Sequence, residues 1–267
     1  MPGPSSQPTY RAPRLFVEAD LAEGVLLPLA RDQARYLLTV LRRGQDDPVR
    51  LFNGRDGEWL ARLAPGGRDH ADLAVERQLR PQPPTDSGPW LLLAAIKRGP
   101  MELAVEKATE LGVARILPVR TRRSNTDRLN LERLERIARE AAEQSERLDA
   151  PGVAPLAPLD DVLGAWPAER LLIAGDESGA APPALAALGG VPPGPFGLLV
   201  GPEGGFAPDE LDGLARLAFV RRIGLGPRVL RAETAVVVGL ALAQAAIGDL
   251  AAARSGAEVG NEHGGAT

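Results

Sequence analysis

Leu198-Leu-Val-Gly-Pro-Glu-Gly-Gly-Phe206 decides the fold: an apolar run of strand length opens directly into a loop dense in glycine and proline. In an α/β protein that junction holds a small ligand outside the carboxyl ends of the strands. A second junction follows, Arg222-Ile-Gly-Leu-Gly-Pro-Arg-Val-Leu-Arg-Ala-Glu-Thr-Ala235, and two such loops can meet around one cofactor. Adjacent glycines let a flat or bulky ligand lie against the main chain where any Cβ would collide. Alone, Gly201-Pro-Glu-Gly-Gly205 reads more readily as a tight turn, and its pairing with Ile223-Gly-Leu-Gly226 reverses that preference. Neither a Gly-Lys-Ser/Thr ending nor Gly-x-Gly-x-x-Gly follows, which disfavours nucleoside triphosphates and dinucleotides.

Outward from these loops, apolar runs alternate with helical patterns. Trp90 to Ile96, Arg115 to Val119, Arg170 to Ala174, Phe196 to Val200 and Phe219 to Ile223 read as strands, the continuous runs fitting strands covered on both faces. Met101, Ala104, Val105, Ala108 and Leu111 recur at helical spacing, with Gly112 as the stop, and Leu134, Ile137, Ala138 and Ala141 mark a longer helix. Strand and helix in alternation predict a parallel sheet, hence an α/β domain over residues 90–250. The segment 81–89, Pro-Gln-Pro-Pro-Thr-Asp-Ser-Gly-Pro, cannot continue a helix or a central strand and predicts a linker. Before it, Leu15 to Val17, Val49 to Phe52, Glu58 to Leu63 and Ala71 to Val75 are short strand candidates. Asn53-Gly-Arg-Asp-Gly57 supplies a hairpin turn, and one helix spans roughly Ala30 to Leu41. A small β-barrel with a helix is predicted for residues 13–80, with a flexible N-terminus (1–12) and a disordered tail (251–267).

Composition narrows the chemistry. The 267 residues contain no cysteine and two histidines, His70 and His263; disulfides, thiolate metal sites and cysteine nucleophiles are excluded, and no metal is expected. No basic and apolar leader opens the chain, and Ala235 to Gly248 is too short to span a bilayer, so a cytoplasmic protein with a buried helix there is expected. The net charge of −4 argues weakly against nucleic acid. Its uneven distribution works the other way: residues 1–150 hold 24 basic and 22 acidic side chains, the remainder 7 and 13.

Four motifs in order then carry a resemblance. Lys97 with Met101-Glu-Leu-Ala-Val-Glu-Lys-Ala-Thr-Glu-Leu-Gly-Val113, Glu140-Ala-Ala-Glu-Gln-Ser145 with Arg147, Gly201-Pro-Glu-Gly-Gly-Phe206, and Leu225-Gly-Pro-Arg-Val-Leu-Arg-Ala-Glu-Thr-Ala235 resemble the small-subunit (16S) ribosomal RNA uridine N3-methyltransferases over roughly residues 14–248. The resemblance implies an N-terminal PUA-like β-barrel, a C-terminal SPOUT domain with a trefoil knot, S-adenosylmethionine (SAM) as methyl donor, and a homodimer. Such a knot is an exception to the rule that chains do not thread loops. The chain departs from the family pattern at Gln33, where histidine is common, at the turn Arg42-Arg-Gly-Gln-Asp-Asp-Pro48, and at Ala232, where threonine is usual. Related knotted enzymes acting on a ribose 2′-hydroxyl or on tRNA, and a noncatalytic ribosome-assembly protein, are competing readings.

The expected cofactor contacts are Val200, Gly201, Pro202, Glu203, Gly204 and Gly205 on the first loop. On the second they are Ile223, Gly224, Leu225, Gly226, Leu230, Arg231, Glu233, Thr234 and Ala235. Uracil N3 is a poor nucleophile until its proton is lost or shared, so a base or a group that stabilises developing oxyanions is needed. Arg231 fits the second role, because a guanidinium stays charged and presents two parallel donors; a salt bridge to Glu233 or a helix end is the competing role. Glu203 either accepts a proton or caps the following helix. For RNA, Arg122, Arg123 and Ser124 follow a strand and precede a helix, where side chains can reach phosphates. Gln144, Ser145 and Arg147 match a family motif beside the target base, Lys97 opens another, and Arg14, Arg42 and Arg43 are the candidates from the barrel.

Overall fold

Short strands whose inward residues alternate build the first of two units. The computed structural model describes residues 12–66, 70–83, 88–124 and 126–250. The start expected to be flexible, up to residue 11, the interior of the 81–89 linker, Asn125 and the 251–267 tail lie outside the described residues. One unit comprises residues 1–85 with 139–150, the other 86–138 with 151–267.

In the first unit, β1 (Arg14–Phe16), β2 (Leu26–Pro28), β3 (Pro48–Phe52), β4 (Glu58–Pro65) and β5 (Ala71–Arg80) form a sheet of order β1-β3-β4-β5-β2. Only the β1–β3 pairing is parallel. The β3–β4 turn is held by Asn53, whose Oδ1 accepts the Arg55 and Asp56 amides, each at 2.9 Å. Helix α1 (Arg31–Arg35) runs on into one π-helical turn, Tyr36–Val40, closed by the Leu41 amide on the Tyr36 carbonyl. Leu15, Leu27, Leu37, Leu51, Leu63 and Leu73 bring all five strands and this helix into one core. Gln33, at the position where the family commonly has histidine, donates to the Phe16 carbonyl.

Residues 139–150 group with this unit because buried Arg14 reaches them. Its guanidinium donates to the carbonyls of Ala142, Glu143 and Arg147 and to Glu58 Oε1 at 2.6 Å. Phe52, Ala142 and Leu148 pack together beside this contact.

The second unit carries β6 (Trp90–Ala94), α2 (Arg98–Glu110), β7 (Arg115–Arg120), α3 (Leu131–Gln144, whose last six residues belong to the first unit), β8 (Gly152–Val153) and β9 (Ala157–Pro158). It continues with α4 (Leu159–Gly164), β10 (Leu171–Gly175), α5 (Ala184–Leu188), β11 (Phe196–Val200), α6 (Pro208–Ala215), β12 (Val220–Ile223) and α7 (Ala232–Ile247). The sheet order is β12-β10-β11-β6-β7-β8, with β9 also on β7, and every pairing is parallel. Alternate residues of the apolar runs feed two cores. Leu91, Leu93, Leu198 and Val200 meet α2, α3, α5 and α7, while Leu92, Leu172 and Leu199 meet α4 and α6. Burial on both faces is why these strands read as unbroken apolar runs. Helix α7 lies so close to β11 that a Cβ on Gly239 would come within 2.9 Å of Leu198 Cδ2. Its one buried amide, Gln244, donates to the Leu111 carbonyl and accepts the Asp249 amide, each at 3.1 Å. Among the described residues no helix is long and apolar enough to cross a membrane.

Candidate active site

Because the sheet is parallel, the loops after β10, β11 and β12 emerge at one edge, and they are tied to one another there. The Asp176 amide donates to the Ile223 carbonyl (2.9 Å) and the Gly224 amide to the Pro182 carbonyl (2.8 Å), joining the first loop to the third. Glu177 Oε1 accepts the Phe206 amide at 3.1 Å, joining the first to the second. Within the second loop the Gly205 amide closes a turn on the Pro202 carbonyl. The two glycine loops expected from sequence are therefore joined through a third, whose Asp176 and Glu177 are absent from the residues expected at the site. Their one sequence signal is a run of polar residues, Asp176-Glu177-Ser178, directly after a strand.

Gly205 has φ +65°, and a Cβ there would lie 1.8 Å from Glu177 Oε1; only glycine combines that backbone conformation with that close approach. A Cβ on Gly204 would meet nothing nearer than Arg123, at 3.6 Å. Around Gly226 a Cβ would meet nothing within 4 Å, so that stretch of backbone stands open to a ligand. Val200 and Ile223 are buried at the strand ends, whereas Glu203, Gly204 and Thr234 are exposed. Bare main chain flanked by apolar strand ends is the cradle a flat heterocycle with a polar tail requires, so these residues fit SAM.

Arg231 is the N-terminal flanking residue of α7, its carbonyl accepting the Ala235 amide at 2.8 Å. Its side chain is exposed, and among the described residues its guanidinium has no ion-pair partner. Glu233 stands in the first turn of α7, where the helix dipole favours a carboxylate. Glu203 is exposed on the β11 loop, and the cap of α6 falls to Glu210 instead, whose Oε2 accepts the Ala207 amide at 2.8 Å. Ala232, at the family's threonine position, is buried. Asp176 is buried too: its Oδ1 accepts the Ser178 amide and its Oδ2 faces Arg222 at 2.8 Å.

The turn after β7 leans on the glycine loop. Arg123 Nη1 donates to the Gly204 carbonyl at 2.9 Å, the Arg122 amide donates to Glu210, and the Arg122 guanidinium pairs with Asp209. Both arginine side chains remain exposed, while Ser124 Oγ accepts the Thr121 amide and shapes the turn. Lys97 is exposed at the start of α2, and Arg42 is exposed with a positive φ of 52° next to half-buried Arg43. Gln144, Ser145 and Arg147 fall in the first unit, where Ser145 Oγ donates to the Ala141 carbonyl and Arg147 pairs with Asp149. Arg14 corrects the expectation that it contacts RNA: its side chain is buried and its donors are engaged inside the protein. Among the described residues no group of three or more acidic, histidine or cysteine side chains could hold a metal ion.

Comparison with known proteins assigns the same architecture. Residues 87–244 match the RNA methyltransferase domain family and residues 29–76 the RNA methyltransferase PUA domain, so the class is an RNA methyltransferase with an N-terminal PUA domain. The ribosomal RNA small subunit methyltransferase E of Rickettsia conorii is 36% identical over 229 residues, 85% of this chain and 93% of the relative. The Neisseria gonorrhoeae enzyme of that name, crystallised with SAM, superposes with TM-score 0.78 at 27% identity, covering 88% of this chain and 97% of the other. The Legionella pneumophila protein Lpg2936, in complex with bound SAM, gives TM-score 0.76 at 26% identity, with coverages of 88% and 98%. This chain belongs to the ribosomal RNA small subunit methyltransferase E family.

Proposed function

We propose that this protein transfers a methyl group from SAM to N3 of one uridine in small-subunit (16S) ribosomal RNA, in the cytoplasm. The observation that carries the reading is the hydrogen-bonded set of loops after β10, β11 and β12, with Gly205 locked against Glu177. Family membership and the SAM-bound relatives support the cofactor, which supplies an electrophilic methyl group on sulfur. The main chain at Gly226, where a Cβ would meet nothing within 4 Å, forms part of the wall against which the cofactor rests, while Gly201 packs under Phe206 and Gly224 against the Ala181 carbonyl.

Arg231 acts on the substrate. With no carboxylate among the described residues to neutralise it, its guanidinium is available to face a uracil carbonyl oxygen as N3 loses its proton, where charge develops during transfer. Glu203, exposed on the neighbouring loop, takes that proton. The exposed Arg122 and Arg123 hold the RNA backbone. The path from β12 to α7 is read as the trefoil knot, and the half-exposed side of α7 as the contact with a second copy in a homodimer.

Mass spectrometry of ribosomal RNA nucleosides from cells lacking this protein tests the reading. Loss of 3-methyluridine from the small-subunit RNA is expected. An unchanged 3-methyluridine content, or loss of a 2′-O-methyl nucleoside in its place, would overturn it.

A further inference from the structure

A cavity of about 440 Å³ opens in the second unit, lined by Ile96, Lys97 and Arg98 from the end of β6 and the start of α2, and by Thr126, Arg128, Leu129 and Asn130 ahead of α3. Met101, Glu102, Arg133 and Leu134 complete it. The volume lies within the roughly 300–1,000 Å³ of small-molecule sites. None of these residues belongs to the three cofactor loops.

The lining has two halves. Ile96, Met101 and Leu134 are buried and Leu129 half-buried, which gives an apolar floor. Around it stand four cations, Lys97, Arg98, Arg128 and Arg133, and one carboxylate, Glu102. Arg133 grips Glu102 through both oxygens and Arg98 adds a third bond at 2.7 Å. The Arg133 hydrogen bonds first, then those of Arg98, hold that carboxyl at about 2, so it stays ionised and its charge is spent on the two arginines. Lys97 and Arg128 are exposed, and among the described residues their side chains have no ion-pair or hydrogen-bond partner. Two cations without partners among the described residues thus stand at the rim of an apolar floor.

We propose that this cavity is a nucleotide subsite for the RNA strand: Lys97 and Arg128 hold a phosphate, and the adjoining base lies over Leu129. The proposal rests on the RNA reading above and adds to it where the strand runs. Strands β6 and β7 lie one and two places from β11 in the sheet, about 5 and 10 Å along its edge. A strand of RNA crossing the carboxyl edge, with its target base at the glycine loops, would therefore bring a flanking nucleotide to this cavity. An apolar floor with a cationic rim suits a base joined to its phosphate, because stacking and charge act at once. A bare phosphate would leave the floor unused.

The test is binding of a single-stranded oligoribonucleotide carrying the methylated sequence, followed by fluorescence anisotropy over a range of salt, with SAM calorimetry as the check on folding. The Lys97→Ala/Arg128→Ala double variant is expected to bind at least tenfold more weakly, with the log-log salt slope reduced by about 0.7 for each lost contact. Leu129→Trp, which fills the cavity and removes no charge, is expected to weaken binding by a similar factor at the wild-type slope. SAM affinity should hold in both. Wild-type RNA affinity in both variants, while the wild-type protein methylates its RNA, would overturn the subsite alone. Weakening in the double variant with normal binding by Leu129→Trp would overturn the base-binding half and leave a phosphate contact. A wild-type protein that neither binds nor methylates the RNA would overturn the functional reading and the subsite together.

Discussion

Glu177 occupies the space that a side chain at Gly205 would need: its Oε1 accepts the Phe206 amide and stands 1.8 Å from where that Cβ would begin. The contact ties the β10 loop to the β11 loop and holds Gly205 at its positive φ.

Gly205→Val is therefore expected to abolish SAM binding in calorimetry, because the residue must both leave its left-handed backbone conformation and displace Glu177. Gly204→Ala, whose Cβ meets only Arg123 at ordinary contact distance, should bind SAM within a few-fold of wild type. Equal affinities in the two variants would contradict the geometry.

Arg231→Ala should lower kcat for methylation by about 10²–10³, the usual effect of removing one donor to a developing oxyanion. RNA affinity should be nearly preserved, since the charge it meets exists only during transfer. A parallel loss of RNA binding would make Arg231 a positioning residue.

Helix α7 buries Val236, Leu240, Ala243 and Ile247 and leaves Val237, Val238, Ala241 and Leu242 half-exposed. A helix apolar on nearly every side calls for a second cover. Sedimentation should show a dimer at micromolar concentration for the wild type and a monomer for Val238→Glu/Ala241→Glu; a monomeric wild type would refute the assembly.

Acid should unfold the first unit partly through Glu58. Burial pushes its carboxyl up, but hydrogen bonds from Arg80 and Arg14 outweigh that and hold it below the ordinary carboxylate value. A depressed folded value means its stabilisation is present above the unfolded value, about 4.3, and is lost as pH falls through the folded one. Glu58→Gln leaves Arg14, Arg50 and Arg80 around an uncharged group and should cost about 3–5 kcal/mol at neutral pH, read from urea unfolding. Its unfolding free energy should also fall less steeply than that of wild type between pH 5 and 3, in the range where the Glu58 contribution is lost.

How much the sequence revealed follows from how local each feature is. Trp90 to Ala94 and Phe196 to Val200 were legible as strands because burial on both faces leaves an unbroken apolar run. Strands β2, β8 and β9 and helices α4, α5 and α6 span too few residues to set up a period. Both glycine loops were visible, since a loop's composition is a local property. That Glu177 sits against Gly205, or that Glu210 caps α6, depends on contacts through space. Arg14 shows the limit most plainly: from sequence it is a surface cation, and only Glu58 and the carbonyls near residue 142, far along the chain, turn it inward.

The placement of α7 also fixes when this protein can fold. Gln244 closes on the Leu111 carbonyl across 133 residues, and Val236, Leu240 and Ile247 complete a core begun by Leu91 and Leu93. During synthesis that face of the sheet, which α2, α3 and α5 cover in part, stays incompletely covered until α7 has left the ribosome, although the PUA domain's own strands are made long before. A nascent chain paused between β11 and residue 232 would carry an open apolar surface, and its passage to the native state would depend on chaperones or on the speed with which α7 is made.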